Sequence, residues 1–264
     1  MKLKQRIESA THVVLKFGTS VLTDHIEKRN KKYFQSIAKS CLELQKQGKK
    51  VIIVSSGAVG FGRVVLKERN NLKIPQASVG EKQALASLGQ SLLIDTYQIA
   101  FAKNKLAAAQ ILVTRTDFEN KKHLQKLKST LNQLLEWSAV PIINENDAVS
   151  NEEIKVGDND NLSAQIALLY PKSVLVLLTS VDAFYLDEKP VTHITRITPE
   201  LRRAAGDTAE GSGGTGGMIT KLQAADKILN ANQLMSIAAG KDMKIIRQLM
   251  AAKPVGTWFY KDKE

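Results

Sequence analysis

Short apolar runs rich in β-branched residues recur along the chain, separated by stretches whose apolar residues fall at helical spacing. His12–Lys16 (HVVLK), Val51–Val54 (VIIV), Ala109–Val113, Val140–Ile143 and Val174–Leu178 (VLVLL) read as strands. Runs that are apolar at nearly every position belong to strands covered on both faces. Between them, Lys32–Gln47 carries Tyr33, Ile37, Cys41 and Leu44 on one helical face and stops at Gly48. Val79–Ala102 reads as a long helix, and His123–Trp137, Gln223–Asn232 and Met243–Ala251 as further helices. This alternation predicts an α/β fold built of βαβ units, a three-layer sandwich with a mostly parallel central sheet. With 264 residues, 43% of them hydrophobic, the chain suffices for one large domain or two lobes around one cleft.

One segment breaks the pattern. Gly206–Gly217 (GDTAEGSGGTGG) is polar, glycine-rich and without an apolar anchor, and it reads as a mobile loop, unordered in the absence of nucleotide. It is either a flexible linker or a phosphate cradle. A helical run begins directly after it, at Met218, which places backbone N–H groups where phosphates bind well. Its GSGGTG formally fits G-x-G-x-x-G but follows no strand, so a dinucleotide site is not expected, and no G-x-x-x-x-G-K-[ST] occurs.

Composition narrows the classes. The formal net charge is +12, yet the Lys and Arg residues are scattered and aromatic residues make up 5% of the chain. Interleaved aromatics for base stacking are missing, so a solvated basic surface is expected in place of a nucleic-acid site. No apolar run approaches the roughly 20 residues that would cross a bilayer, and the polar Met1–Ala10 lacks the core of a secretory signal. The single cysteine, Cys41, excludes an internal disulfide and reads as a small buried residue. These features together predict a cytoplasmic protein. The four histidines, His12, His25, His123 and His193, show no ligand spacing, and no metal site is expected from them.

In open α/β sheets, ligands bind beyond the carboxyl ends of the strands. Those ends are chemically loaded here: Lys16-Phe17-Gly18-Thr19-Ser20, then Ser55-Ser56-Gly57, then Asn144-Glu145-Asn146-Asp147, then Thr179-Ser180. Ser55–Gly60 could be an ordinary turn with a serine helix cap, and Asn144–Asp147 an Asx-rich turn. Lys16 is harder to explain as structure, because a lysine in a buried strand must find an anion or reach water. Val156–Asn161 (VGDNDN) precedes a helical stretch, Leu162–Leu169, and could cap it, but it holds more carboxylates and amides than a cap needs. Phosphoryl transfer is done mostly by positioning and charge neutralisation, and Lys16 and Lys221 are candidates for the cationic clamp.

Six motifs occur in a recognisable order: VLKFGTSVLT (Val14–Thr23), VSSGAVGFG (Val54–Gly62), KQALASLGQ (Lys82–Gln90), PIINENDAV (Pro141–Val149), EIKVGDNDNLSA (Glu153–Ala164) and GTGGMITKLQAAD (Gly214–Asp226). On these the chain resembles the glutamate 5-kinases of the amino-acid kinase family, over about Val13–Phe259. The resemblance implies a carbamate kinase-like fold, residues 1–264 forming one kinase domain with a glutamate-binding lobe over roughly 1–170 and a nucleotide lobe over roughly 171–264. It implies ATP-dependent phosphorylation of the glutamate γ-carboxylate, with Mg²⁺, as the first step toward proline. Lys16 and Lys221 would be catalytic. Ser56, Asp147 and Asn159 would bind glutamate, with Asp160 ordering the site. Lys16, Thr179, Ser180 and the segment Thr215, Gly216, Gly217, Met218, Ile219, Thr220 and Lys221 would bind the nucleotide. Proline as feedback inhibitor, a homo-oligomer and a glutamyl phosphate reductase taking the labile product are implied as partners.

Three departures from the family pattern stand out. Thr179-Ser180 replaces the usual Thr-Asp, Ala183 stands where glycine is common, and the PUA-type domain that many relatives carry is not expected after VGTWFY (Val255–Tyr260). The rival readings are a sister kinase for acetylglutamate or aspartate and, more distantly, a basic nucleic-acid-binding module.

Overall fold

A computed structural model describes residues 2–27, 31–149, 159–207 and 217–262. Its centre is an eight-stranded sheet. The strands are β1 (His12–Phe17), β2 (Lys50–Ser55), β3 (Ala108–Val113), β4 (Val140–Glu145), β5 (Ser173–Thr179), β8 (His193–Ile194), β9 (Leu234–Ala239) and β10 (Thr257–Phe259), while β6 (Phe184–Leu186) and β7 (Lys189–Val191) form a separate hairpin. The order is β3-β4-β2-β1-β5-β9-β10-β8, and every pairing is parallel except β9 with β10. The four strands on one side of the β1–β5 junction come from residues 12–145 and the other four from residues 173–259. β1 therefore lies at the centre, where successive connections leave in opposite directions, which is where open α/β sheets bind ligands.

Strand residues alternate between two cores, as the two-residue period of a strand requires. Val13, Leu15 and Phe17 of β1 join Val51 and Ile53 of β2 in one core, and Val14 joins Ile52 and Val54 in the other. The first core is covered by α3 (Lys31–Lys46) and α5 (Val79–Ala102). The second is covered by α7 (Lys121–Glu136), α8 (Asn159–Leu168) and α10 (Met218–Asn230). The parity has a functional consequence. Lys16 shares a face with Val14 and so points toward α8 and α10.

Local chemistry explains the helix ends. α3 stops where Gly48 takes φ +75° and Lys49 N–H returns to the Leu44 carbonyl. α5 starts at a capping box in which Ser78 and Glu81 exchange hydrogen bonds. α4 (Ala58–Asn70) crosses α5 at two glycines. A Cβ on Gly62 would lie 2.0 Å from the Leu85 carbonyl oxygen, and one on Gly89 1.9 Å from that of Ala58. Only glycine permits this approach, and it holds the α5 segment around Gln90 against the first turns of α4.

Several elements escape the sequence reading. α1 (Leu3–Ser9), α2 (Thr19–Glu27), α4, α6 (Arg115–Glu119) and α9 (Pro199–Asp207) are helices that it leaves unassigned, and β8, β9, β10 and the β6–β7 hairpin are strands it leaves out. α11 (Lys244–Met250) falls inside the helix expected over Met243–Ala251. Gly206 and Asp207, expected to belong to the loop, instead form the end of α9, whose Leu201 and Ala205 bury an apolar face. The expectation about the order of the glycine segment falls on 208–216, outside the described residues. Cys41 is buried, as read, and its thiol is pushed above its usual pKa range by burial.

Candidate active site

The carboxyl ends of β1, β2 and β4 meet the first turns of α8 and α10. Lys16 and Lys221 are each 5% exposed, and Asp160 is 1% exposed. Lys16 Nζ lies 2.7 Å from Asp160 Oδ1, and Lys221 Nζ lies 3.2 Å from Oδ2. Thr220 Oγ donates to the same Oδ2 at 2.8 Å. Burial opposes the charge on Asp160, but the two ammonium groups and the hydrogen bonds from Lys16 and Thr220 outweigh it and hold the carboxyl below its usual pKa. Asp160 and Asn161 are thus helical residues of the first turn of α8, not caps, and a carboxylate there is also favoured by the helix dipole.

A second cluster is made of amides. Asn159 Nδ2 donates to Ser56 Oγ at 2.8 Å, to Asn144 Oδ1 at 3.1 Å and, more weakly, to the Ser55 carbonyl at 3.4 Å. Asn144 Nδ2 donates in turn to Gln90 Oε1 at 3.0 Å. Strand parity separates the two serines. Ser55 faces the first core, where its hydroxyl meets Tyr97 Oη at 3.1 Å, and Ser56 faces α8. Neither caps α4, whose N-cap is Gly57 in the left-handed region with φ +107°.

Asp147 lies apart from the lysines. It lines a cleft of about 440 Å³ with Gln90, Glu145, Asn146, Ala58 and their neighbours on α5. Burial first, then the charge of Glu145, raises its pKa to about 6. Thr179 is buried at the end of β5, its carbonyl accepting from Gly240 N–H at 2.8 Å, and Ser180 beyond it is exposed. Gly217 is the N-cap of α10, so among the described residues no N-cap side chain meets the first N–H groups of this helix. Thr215 and Gly216 lie outside the described residues. The structure thus brings Lys16, Ser56, Asn159, Asp160, Thr220 and Lys221 into one cluster and sets Asp147 in the adjoining cleft. The participation of Asn144 and Gln90 escapes the sequence reading, although both sit inside the quoted motifs PIINENDAV and KQALASLGQ.

This arrangement of a parallel sheet with paired lysines at its switch point defines a class. The profile of the amino acid kinase family matches residues 11–238. Carbamate kinase from Giardia superposes with a TM-score of 0.65 at 16% identity, over 96% of this chain and all of that one, a likeness of fold. The chain belongs to the amino acid kinase family. Its sequence is 43% identical over 259 residues to glutamate 5-kinase 2 of Pseudoalteromonas translucida, covering 94% of this chain and 68% of that protein. It is 40% identical over 261 residues to the glutamate 5-kinase of Proteus mirabilis, covering 96% and 70%. Within the family, the chain belongs with the glutamate 5-kinases.

Proposed function

We propose that the chain transfers the γ-phosphoryl group of ATP to the γ-carboxylate of L-glutamate, giving L-glutamyl 5-phosphate on the route to proline. The observation that carries this reading is the convergence of Lys16 and Lys221 on buried Asp160, at the carboxyl end of the central strand. A carboxylate oxygen of glutamate attacks the γ-phosphorus in line, the new C–O–P bond forms, and the bond to the β–γ bridging oxygen breaks as ADP leaves. Negative charge spreads over the transferred group, and two preorganised ammonium groups offset it there with little reorganisation. Asp160 holds both lysines in place. The N–H groups at the start of α10 receive phosphate oxygens, and Thr179 and Ser180 border the nucleotide.

At the other end of the substrate, Asp147 and Glu145 receive the α-ammonium group, and Ser56 and Asn159 position the molecule. ATP enters with Mg²⁺. Among the described residues no group of three His, Cys, Asp or Glu side chains is placed to hold a metal ion, and both oxygens of Asp160 are engaged by Lys16, Lys221 and Thr220. An Mg²⁺ ion accompanying the nucleotide would supply neutralisation of the phosphate charge. The acyl phosphate is labile, which favours a reductase that consumes it at once. Proline as feedback inhibitor and a homo-oligomeric assembly complete the reading.

Trapping with hydroxylamine tests it. With ATP present, hydroxamate should form from L-glutamate and not from N-acetyl-L-glutamate or L-aspartate. Hydroxamate from another acid alone would move the substrate to a sister kinase, and none from any acid would overturn the reading.

A further inference from the structure

The amide cluster contains a directional relay whose far end no role yet accounts for. An amide can face a neighbour with its oxygen or with its nitrogen, and the choice must be fixed by groups that cannot reverse. The backbone carbonyl of Ser55 only accepts. Lying 3.4 Å from Asn159, it sets the nitrogen of that side chain toward β2. The same nitrogen then meets Ser56 Oγ and Asn144 Oδ1. Asn144 must present its oxygen to Asn159, so its own nitrogen points the other way and needs an acceptor. Gln90 Oε1 is that acceptor, at 3.0 Å. Asn144 and Asn159 are 2% and 3% exposed, and water cannot easily replace a lost partner there. One consequence is left at the near end. Asn159 Oδ1 is buried and has no hydrogen-bond partner among the described residues. An unpaired buried carbonyl oxygen is costly unless a ligand donor meets it.

We infer that Gln90 is a positioning residue for glutamate: by accepting from Asn144 it completes and holds the amide relay that the Ser55 carbonyl orients, so that Asn159 keeps its carbonyl oxygen for a donor on the substrate. The donor that a free amino acid offers is its ammonium group, whose three N–H bonds can serve this oxygen together with the carboxylates of Asp147 and Glu145, and a carboxylate would be repelled by the same oxygen. Gln90 reaches this position because Gly89 beside it lets α5 pack against α4 at backbone contact. Its action is indirect, through Asn144, and separate from the lysine clamp on the far side of Asn159. The inference rests on the glutamate kinase reading above.

A double-mutant cycle tests it, with initial rates measured against both substrates. Gln90→Leu keeps the size of the side chain and removes the acceptor. The expected result is a KM for glutamate raised about tenfold, the loss of roughly one buried hydrogen bond, with the KM for ATP changed less than about twofold and the melting temperature lowered by only a few degrees. Gln90→Glu retains an acceptor oxygen at the same reach and should restore most of the loss. In an Asn144→Ala background the relay is already cut, so adding Gln90→Leu should change the glutamate KM by less than about twofold. An equal loss in that background would mean that Gln90 acts without Asn144, and parallel changes in both KM values would mean a structural role; either result overturns the inference. A wild-type enzyme with no glutamate-dependent turnover would instead refute the underlying reaction.

Discussion

Lys16, at the end of the central strand, is held 2.7 Å from a carboxylate oxygen of Asp160 on helix α8, although the two residues are 144 positions apart in the chain. Strand parity turns Lys16 to the α8 face, and α8 starts with its first turn against that strand end. The second oxygen of the same carboxylate takes Lys221 from α10. Catalytic charge and structural charge are therefore separable. Lys16→Ala leaves Asp160 paired with Lys221, and Lys221→Ala leaves it paired with Lys16. Each should lower kcat by about 100-fold or more while the circular dichroism spectrum and melting temperature stay near those of the wild type.

Asp160→Asn should behave differently. It leaves two buried ammonium groups without their shared carboxylate, and breaking a buried pair from one side costs about 3–5 kcal/mol. The expected result is a clear fall in the urea midpoint together with lost activity. A variant as stable as the wild type would show that Asp160 does not hold the lysines.

Asp147 gives the site a pH dependence. Its carboxyl titrates at about 6, raised by burial and then by Glu145, against about 3.9 for an unperturbed aspartate. Between those values the folded protein keeps a proton that the unfolded chain has released, so this group's contribution to stability declines as pH rises across the window. Substrate binding has the opposite sense, because an ammonium group favours the ionised form. The KM for glutamate should rise as pH falls below about 6 and level off above it. Asp147→Asn should raise that KM at neutral pH and flatten the profile, which initial rates between pH 5 and pH 8 would measure.

The crossing of α4 and α5 allows no side chain at Gly89, where a Cβ would sit 1.9 Å from the Ala58 carbonyl oxygen and 2.2 Å from the Gly62 nitrogen. Both obstacles are backbone and cannot rotate away. Gly89→Ala should cost about 3 kcal/mol or more, seen as a melting temperature lower by about 6–12 °C. Since the crossing also sets the position of Gln90, the glutamate KM should rise with it.

Much of this fold could be read from the strands, because parallel strands buried on both faces leave continuous apolar runs such as Val174–Leu178. Shorter or mixed elements could not be. β9 carries Ser236 among apolar residues and follows α10 closely, so its sequence LMSIAA blends into the helical spacing around it. Gly206 looks like part of a linker, yet Leu201 and Ala205 give its helix enough apolar contact to form. In the site, Lys16 was conspicuous as a charge in an apolar strand. Asn144 and Gln90 were not, because an amide in a turn or on a helix has many ordinary uses. Their partnership depends on the α4–α5 crossing, 54 residues apart in sequence, which no local pattern encodes.

The most direct measurement follows an atom. L-Glutamate carrying ¹⁸O in its γ-carboxylate is turned over with ATP in the presence of hydroxylamine, and the released inorganic phosphate is analysed by mass spectrometry. Attack of the carboxylate on the γ-phosphorus, followed by hydroxylamine attack on the acyl carbon, leaves the bridging oxygen on phosphorus. The account predicts phosphate with one ¹⁸O atom, formed only when glutamate is present. Unlabelled phosphate, or phosphate released at the same rate without glutamate, would contradict it.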